Sequence, residues 1–360
     1  MRRLLTLLGL LAVAGIAITW VNRDRLVLMG IETVAQRTMS APLAASLPDG
    51  LHILLCGAGN PLPDPKRSGP CAVVMAGDNM VLVDAGSSAA RNMAMLGVRA
   101  DQIDAVVITH FHSDHIDGLG EFLLQRWGIG TQDTPTPVYG PAGIEDVVSG
   151  FNDAYARDIA LRIAHHGPEV MRPQAAGGAA MPFPVPENGE LHPVLELGDL
   201  KITSFRVDHG PVKPAVGYRF DYKGRSLAIS GDTKRSSNLE AVNQGIDLLV
   251  HEAQNQEMIN AVNRAAKAAG QTRMEQIAHD VVDYHTTPVE AAQSAAATNA
   301  KHLLYTHVAP ALPFSFMNEV FKRGVDQVYD GPVTVGEDGT LASLPAGSDL
   351  IEIRQAGRVM

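Results

Sequence analysis

Ile108-Thr109-His110-Phe111-His112-Ser113-Asp114-His115-Ile116-Asp117-Gly118 places three imidazoles and a carboxylate within six positions. A buried His or Asp must be paired, and four together are not satisfied as ordinary core residues without strong positive charge nearby, so the density points to metal. Val106, Val107 and Ile108 predict a buried strand that ends at the cluster, which puts the ligands on a loop at a strand's C-terminal edge. The plain alternative is a histidine-rich surface turn. The apolar strand before the cluster and the glycine that closes it speak against that. A His-x-His pair reaches one metal and an Asp-His pair a second, which suggests two ions sharing a bridging hydroxide.

Three further segments repeat one pattern, an apolar strand followed at once by His or Asp. They are Val207-Asp208-His209-Gly210, Ile229-Ser230-Gly231-Asp232-Thr233 and Leu304-Tyr305-Thr306-His307. Each alone reads more readily as a hydrogen-bonded structural residue. Strand ends are where side chains from distant segments converge, and together with the first cluster these three complete a ligand set.

With these motifs the chain resembles the metallo-β-lactamase superfamily, and within it the ribonuclease Z-like branch, from about Leu51 to Gly336. The resemblance implies an α/β fold, an αββα sandwich with a dinuclear site at one edge of its two sheets. It implies one zinc held by His110, His112 and His209, a second by Asp114, His115 and His307, and Asp232 bridging both. Manganese or iron would also suit the oxygen ligands. Asp84, in Leu82-Val83-Asp84-Ala85-Gly86, fits the family's strand-end aspartate that orients ligands. His251-Glu252-Ala253-Gln254 and His285-Thr286-Thr287 stand where the branch has His-Glu-Ala-Thr and His-Ser-Thr motifs that help protonate the leaving group. Gln and Thr replace Thr and Ser there. The implied catalytic residues are thus Asp114, which orients the hydroxide, and Glu252 with His285, which assist the leaving oxygen. A Glu–His pair that only braces a loop is the alternative for the last two. The branch's long tRNA-clamping arm has no counterpart between His209 and Asp232, where there is room only for a hairpin.

The chain has 360 residues, 46% hydrophobic and 5% aromatic, with a formal net charge of -10. It is long enough for one large core, and its overall charge gives no bias toward nucleic acid. Arg2-Arg3 precede an apolar run from Leu4 to Val21. Residues 1–21 therefore predict a transmembrane signal anchor, or a signal peptide cleaved near Ala14. The hydrolase body is then expected on the extracytoplasmic, periplasmic side, or secreted after cleavage. Residues 22–48 read as a connector with a short helix, 49–341 as the hydrolase domain and 342–360 as a C-terminal tail. The Pro-, Gly- and Ala-rich stretch 167–193 reads as a long loop, and the doubled His165-His166 before it as a helix-end feature. Cys56 and Cys71 either bridge neighbouring strands or remain two buried thiols.

The activity expected is hydrolysis of phosphodiesters or related small esters, aryl sulfates included. A ribonuclease Z-type nuclease and a non-catalytic envelope zinc module are the alternatives. Expected partners are a small ester substrate, the membrane through the N-terminal segment and a second copy of the chain, with nucleic acid not expected.

Overall fold

The computed structural model describes residues 19–40 and 43–358. Most of the apolar run expected to be an anchor or signal lies outside the described residues. Among the described residues no helix is long and apolar enough to cross a membrane. The connector contains helix α1 (Arg23–Ser40), on which Leu26, Val27, Leu28, Met29 and Ile31 are exposed.

The first half then runs β1 (Gly50–Gly57), β2 (Cys71–Ala76), β3 (Asn79–Val83), α2 (Ala89–Met95), β4 (Ala105–Val107), α3 (Ser113–Ile116), α4 (Leu119–Ile129), β5 (Thr136–Pro141), α5 (Ile144–His166) and β6 (Gly178–Phe183). The second half runs β7 (His192–Leu197), β8 (Leu200–Arg206), β9 (Val216–Tyr222), β10 (Arg225–Ile229), α6 (Ser237–Val242), β11 (Leu248–Gln254), α7 (Gln256–Ala268), α8 (Thr272–Asp280), α9 (Pro288–Ala297), β12 (His302–Ala309), α10 (Met317–Phe321) and β13 (Val333–Val335). β14 (Thr340–Pro345) and β15 (Glu352–Gln355) return to the first sheet. The sheet orders are β15-β14-β1-β2-β3-β4-β5-β6 and β13-β12-β11-β10-β9-β8-β7.

The apolar runs explain the layering. Alternate side chains of a strand point to opposite faces, so a continuous apolar strand needs cover on both. In β1, Leu51, Ile53 and Leu55 meet the facing sheet at Tyr218, Phe220, Leu227 and Val250, whereas Leu54 and Cys56 turn outward to Met93, Phe122 and Leu123. A third apolar layer, including Leu249, Leu303, Ala291 and Ala295, lies between the second sheet and its helices. Each fully buried large side chain contributes about 1.5–3 kcal/mol relative to exposure. The result is helix, sheet, sheet, helix.

Two segments differ from expectation. Residues 167–193 are not a single loop: β6 pairs parallel with β5 from Thr136↔Gly178 to Pro141↔Phe183. Proline-rich composition hid the strand, and Pro182 is tolerated because β6 lies at the sheet edge and has one partner. Residues 342–360, read as a tail, complete β14, which pairs with β1 (Leu51↔Leu344), and supply β15. Their inward alternation, Ala342 and Leu344, is short and easily overlooked. Cys56 and Cys71 form a disulfide across β1 and β2, with Cα atoms 5.0 Å apart. Cys56 sits in the register skip between Leu55 and Gly57, which turns its side chain toward its partner.

Candidate functional site

Every sequence-predicted ligand lies at one end of the sandwich, and both sheets contribute. β3 ends at Asp84, and the segment after β4 carries His110 and His112 before α3 supplies Asp114 and His115. From the other sheet come His209 after β8, Asp232 after β10 and His307 within β12. The register of β12 against β11 jumps from Glu252↔Thr306 to Ala253↔Val308, so His307 is the unpaired bulge residue and its side chain is re-aimed. Asp84 and His307 both take left-handed backbone, with φ of 54° and 46°, a conformation non-glycine residues hold only when the surroundings enforce it.

His110 Nε2 lies 3.1 Å from His112 Nδ1, which lies 3.4 Å from His209 Nε2. Asp232 Oδ2 is 3.8 Å from both His110 Nε2 and His209 Nε2, 3.4 Å from His115 Nε2 and 3.3 Å from His307 Nε2. Asp114 Oδ2 stands 3.3 Å from His307 Nε2 and 3.7 Å from His115 Nε2. One carboxylate oxygen therefore faces two groups of nitrogens.

The outer partners fix which ring nitrogens face inward. Asp84 accepts hydrogen bonds from the Thr109 amide (2.8 Å) and hydroxyl (2.9 Å), and from His115 Nδ1 (2.8 Å). His110 Nδ1 approaches the same Thr109 hydroxyl at 3.1 Å, and His209 Nδ1 donates to the Tyr284 carbonyl at 3.0 Å. With Nδ1 carrying the hydrogen, Nε2 of all three rings presents a lone pair to the centre, the usual arrangement around a bound metal. His115 Nε2 is buried and has no hydrogen-bond partner. Lone pairs facing lone pairs, beside two carboxylates, are what a cation resolves, so the residues present fit divalent metal.

Electrostatics agree. Burial pushes the His110 imidazole well below its ordinary value, with His115 adding to the effect, and burial lowers His112 and His209 too. Around Asp232, burial opposes ionisation, but His307 and His115 overcome it and hold the carboxyl well below the usual range. At His115 and His307 burial disfavours charge, and Asp232 reverses the balance and raises both. The carboxylates thus draw positive charge to this spot.

Beside the cluster, Glu252 Oε1 accepts from the Thr233 amide (2.9 Å) and from His285 Nδ1 (2.8 Å). Burial opposes protonation of His285, but Glu252 overcomes it and pushes the imidazole up to about 9. His285 keeps a ring nitrogen within 4.8 Å of ligand atoms of Asp232 and His307. The loop carrying it is pinned by the cap of α9, where Thr287 Oγ1 accepts from the Glu290 amide (3.2 Å), Glu290 reaches back to the Thr287 amide (2.9 Å) and Pro288 opens the helix. His112 and His285 are half-buried, and the other residues of the cluster are buried. The cluster is therefore open to solvent on their side.

A family model described as beta-lactamase superfamily domain matches residues 79–308. The chain belongs to the metallo-β-lactamase superfamily. Ribonuclease Z of Mycobacterium avium is 33% identical over 290 residues, which cover 80% of this chain and 96% of that protein. Ribonuclease Z of Mycobacterium marinum is 34% identical with the same coverage of both chains. Among solved structures, the metallo-beta-lactamase fold protein YhfI of Bacillus subtilis superposes with a TM-score of 0.59 at 18% identity, covering 82% of this chain and all of that one. The short form of human tRNase Z gives 0.56 at 20% identity, covering 82% and 99%. These likenesses carry the fold. The protein is a metallo-β-lactamase-fold hydrolase, so the alternative of a non-catalytic zinc module falls away, and divalent metal is the cofactor typical of the fold.

Two expectations are corrected here. Nucleic acid was not expected, yet the relatives that match most of the chain are named ribonuclease Z; a net charge averages the whole surface and does not exclude such a substrate. The membrane-anchored, extracytoplasmic or secreted placement rested on residues 4–21. No described helix crosses a membrane, and the relatives are named for an activity on RNA.

Sequence reading missed Thr109 and Tyr284. Both act through atoms that motif spacing does not advertise, a hydroxyl between Asp84 and His110 and a main-chain carbonyl behind His209. Adjacency to His110 and His285 was the available signal. His165 and His166 lie at the end of α5, where they pack on each other, and neither joins the cluster.

Proposed function

We propose that this hydrolase cleaves phosphodiester bonds of RNA in the manner of ribonuclease Z. His110, His112 and His209 would hold one zinc, Asp114, His115 and His307 a second, and Asp232 would bridge them. When bound, the ions supply Lewis-acid activation of water and neutralise the charge that builds on the phosphate. Asp114, buried beside His307, orients the attacking oxygen. Glu252 keeps His285 protonated at neutral pH, and His285 hands that proton to the departing ribose oxygen, which is a poor leaving group without it.

The Glu252–His285 contact carries the reading. A structural site has no need for a protonated imidazole poised beside it, whereas phosphodiester cleavage with an alkoxide leaving group does. The ribonuclease Z relatives support RNA over the small esters and aryl sulfates first expected. Because β9 and β10 form only a hairpin between His209 and Asp232, RNA has to be gripped elsewhere on the protein.

The test measures bound metal together with cleavage of a precursor tRNA and of bis-p-nitrophenyl phosphate. Metal-dependent tRNA cleavage, abolished with metal loss in Asp232→Ala, is the expected result. Turnover of the small diester with none of the tRNA would replace RNA by small phosphodiesters as the substrate class.

A further inference from the structure

Phe314 and Phe316 lie on the loop that follows β12 and its His307, and both are largely exposed, at 61% and 70%. Their rings are nearly parallel, with planes 7° apart and centroids 5.7 Å apart. The loop under them is held at several points. Leu312 is fully buried, its amide donates to Asp64 Oδ2 (3.0 Å), and Lys66 Nζ donates to Ser315 Oγ (3.0 Å). On the far side Phe321 is buried against Tyr305. Two rings are thus presented to solvent by a rigid support, although burial would have stabilised the fold.

We propose that Phe314 and Phe316 form a platform on which an unpaired base of the RNA substrate stacks. Two parallel aromatic faces extend into a third with any nucleobase, and such stacking tolerates sequence. The platform is one loop removed from the centre: residues 59–69 touch Ser315 through Lys66, pair with β12 through Gly59↔Val308, and reach the Asp114 segment at Gly69. Beside the rings Lys66 Nζ is paired with Glu337 Oε1 (2.9 Å) and Arg67 with Asp64 (3.3 Å), so this flank carries no net charge of its own. The opposite flank, a groove along Pro211, Asn260, Asn263 and Tyr284, carries Asp280 and Asp283 and repels a phosphate backbone. Of the two flanks, the balanced phenylalanine side is the one a phosphate backbone can approach without meeting Asp280 and Asp283. The inference rests on RNA being the substrate.

The experiment uses the metal-loaded full chain and a hairpin RNA with a single-stranded 3′ extension, made once with normal bases and once with abasic nucleotides in the extension. KM is measured for both RNAs with the wild-type protein, F314A/F316A and F314W/F316W, and methyl p-nitrophenyl phosphate is assayed with the wild type. The expected result is a KM about tenfold lower for the base-containing RNA in the wild type. That preference should vanish in the alanine variant and return in the tryptophan variant. Equal KM for the two RNAs in the wild type, or a preference that survives in F314A/F316A, overturns the platform while RNA remains the substrate. Self-association lost in F314A/F316A with the base preference intact would assign the rings to contact between copies and also overturn it. Turnover of the small diester with neither RNA cleaved removes the substrate reading and the platform with it.

Discussion

Glu252 spends one oxygen on Thr233 and His285 and leaves the other buried with no hydrogen-bond partner, an arrangement whose use lies in the chemistry of the leaving group. Proton delivery matters in proportion to how basic the departing oxygen is. Glu252→Gln and His285→Ala are therefore expected to lower kcat on RNA by about 10²–10⁴-fold. With bis-p-nitrophenyl phosphate, whose leaving phenolate needs no proton, the loss should be small, and bound metal should match the wild type. Equal losses on both substrates would make the pair a brace and not a proton donor. Another histidine acts on stability. Burial lowers His302, at the start of β12, to about 4 from an ordinary 6.5. Between those values the unfolded chain binds a proton that the folded chain refuses, so the stability due to this residue is complete above about pH 6.5 and is lost as pH falls toward 4. His302→Gln should flatten the fall of the denaturation midpoint across that window. An unaltered slope would assign acid sensitivity to other groups.

At the scale of elements, the segment that carries the histidines is held by close backbone approaches. A Cβ on Gly86, between β3 and α2, would lie 2.6 Å from the Gly69 carbonyl carbon and 2.7 Å from the Pro70 nitrogen, and would press on the Asp114 carbonyl oxygen. A Cβ on Gly118, which closes the motif, would strike the Gly86 carbonyl oxygen. Backbone cannot swing aside as a side chain can. Gly86→Ala should thus cost about 1–3 kcal/mol, and more if the Asp114 segment shifts. Urea denaturation checks the stability, and metal content checks the displacement of Asp114. A destabilised protein with full metal would show that α3 absorbs the strain elsewhere. The same reasoning explains why Gly118 was a useful mark in the sequence.

At the scale of the whole molecule, the candidate centre joins two sheets that also share an apolar layer and a few hydrogen bonds, such as Tyr218 Oη to the Ile108 carbonyl. His110, His112, Asp114 and His115 come from one sheet, and His209, Asp232 and His307 from the other. Metal held there cross-links the halves, and it binds the folded state only. Chelation should lower the melting temperature. At free metal one hundredfold above the dissociation constant, each site contributes about 2.7 kcal/mol. A melting temperature indifferent to chelation would mean that the cluster does not hold metal in solution. The apolar runs, the His110–His115 cluster and the three strand-end motifs, with the family resemblance they carry, made the sandwich and the candidate ligands legible in the sequence, because side-chain chemistry and strand periodicity are local properties. Pairing is not local. β6 and β14 are weak strands on their own and exist because β5 and β1 offer them an edge. The bulge that aims His307, the carbonyl of Tyr284 behind His209, the Cys56–Cys71 bond and the parallel rings of Phe314 and Phe316 were likewise decided by tertiary structure. Each is a relation between segments far apart in the chain or a direction imposed on a side chain, and only packing sets those.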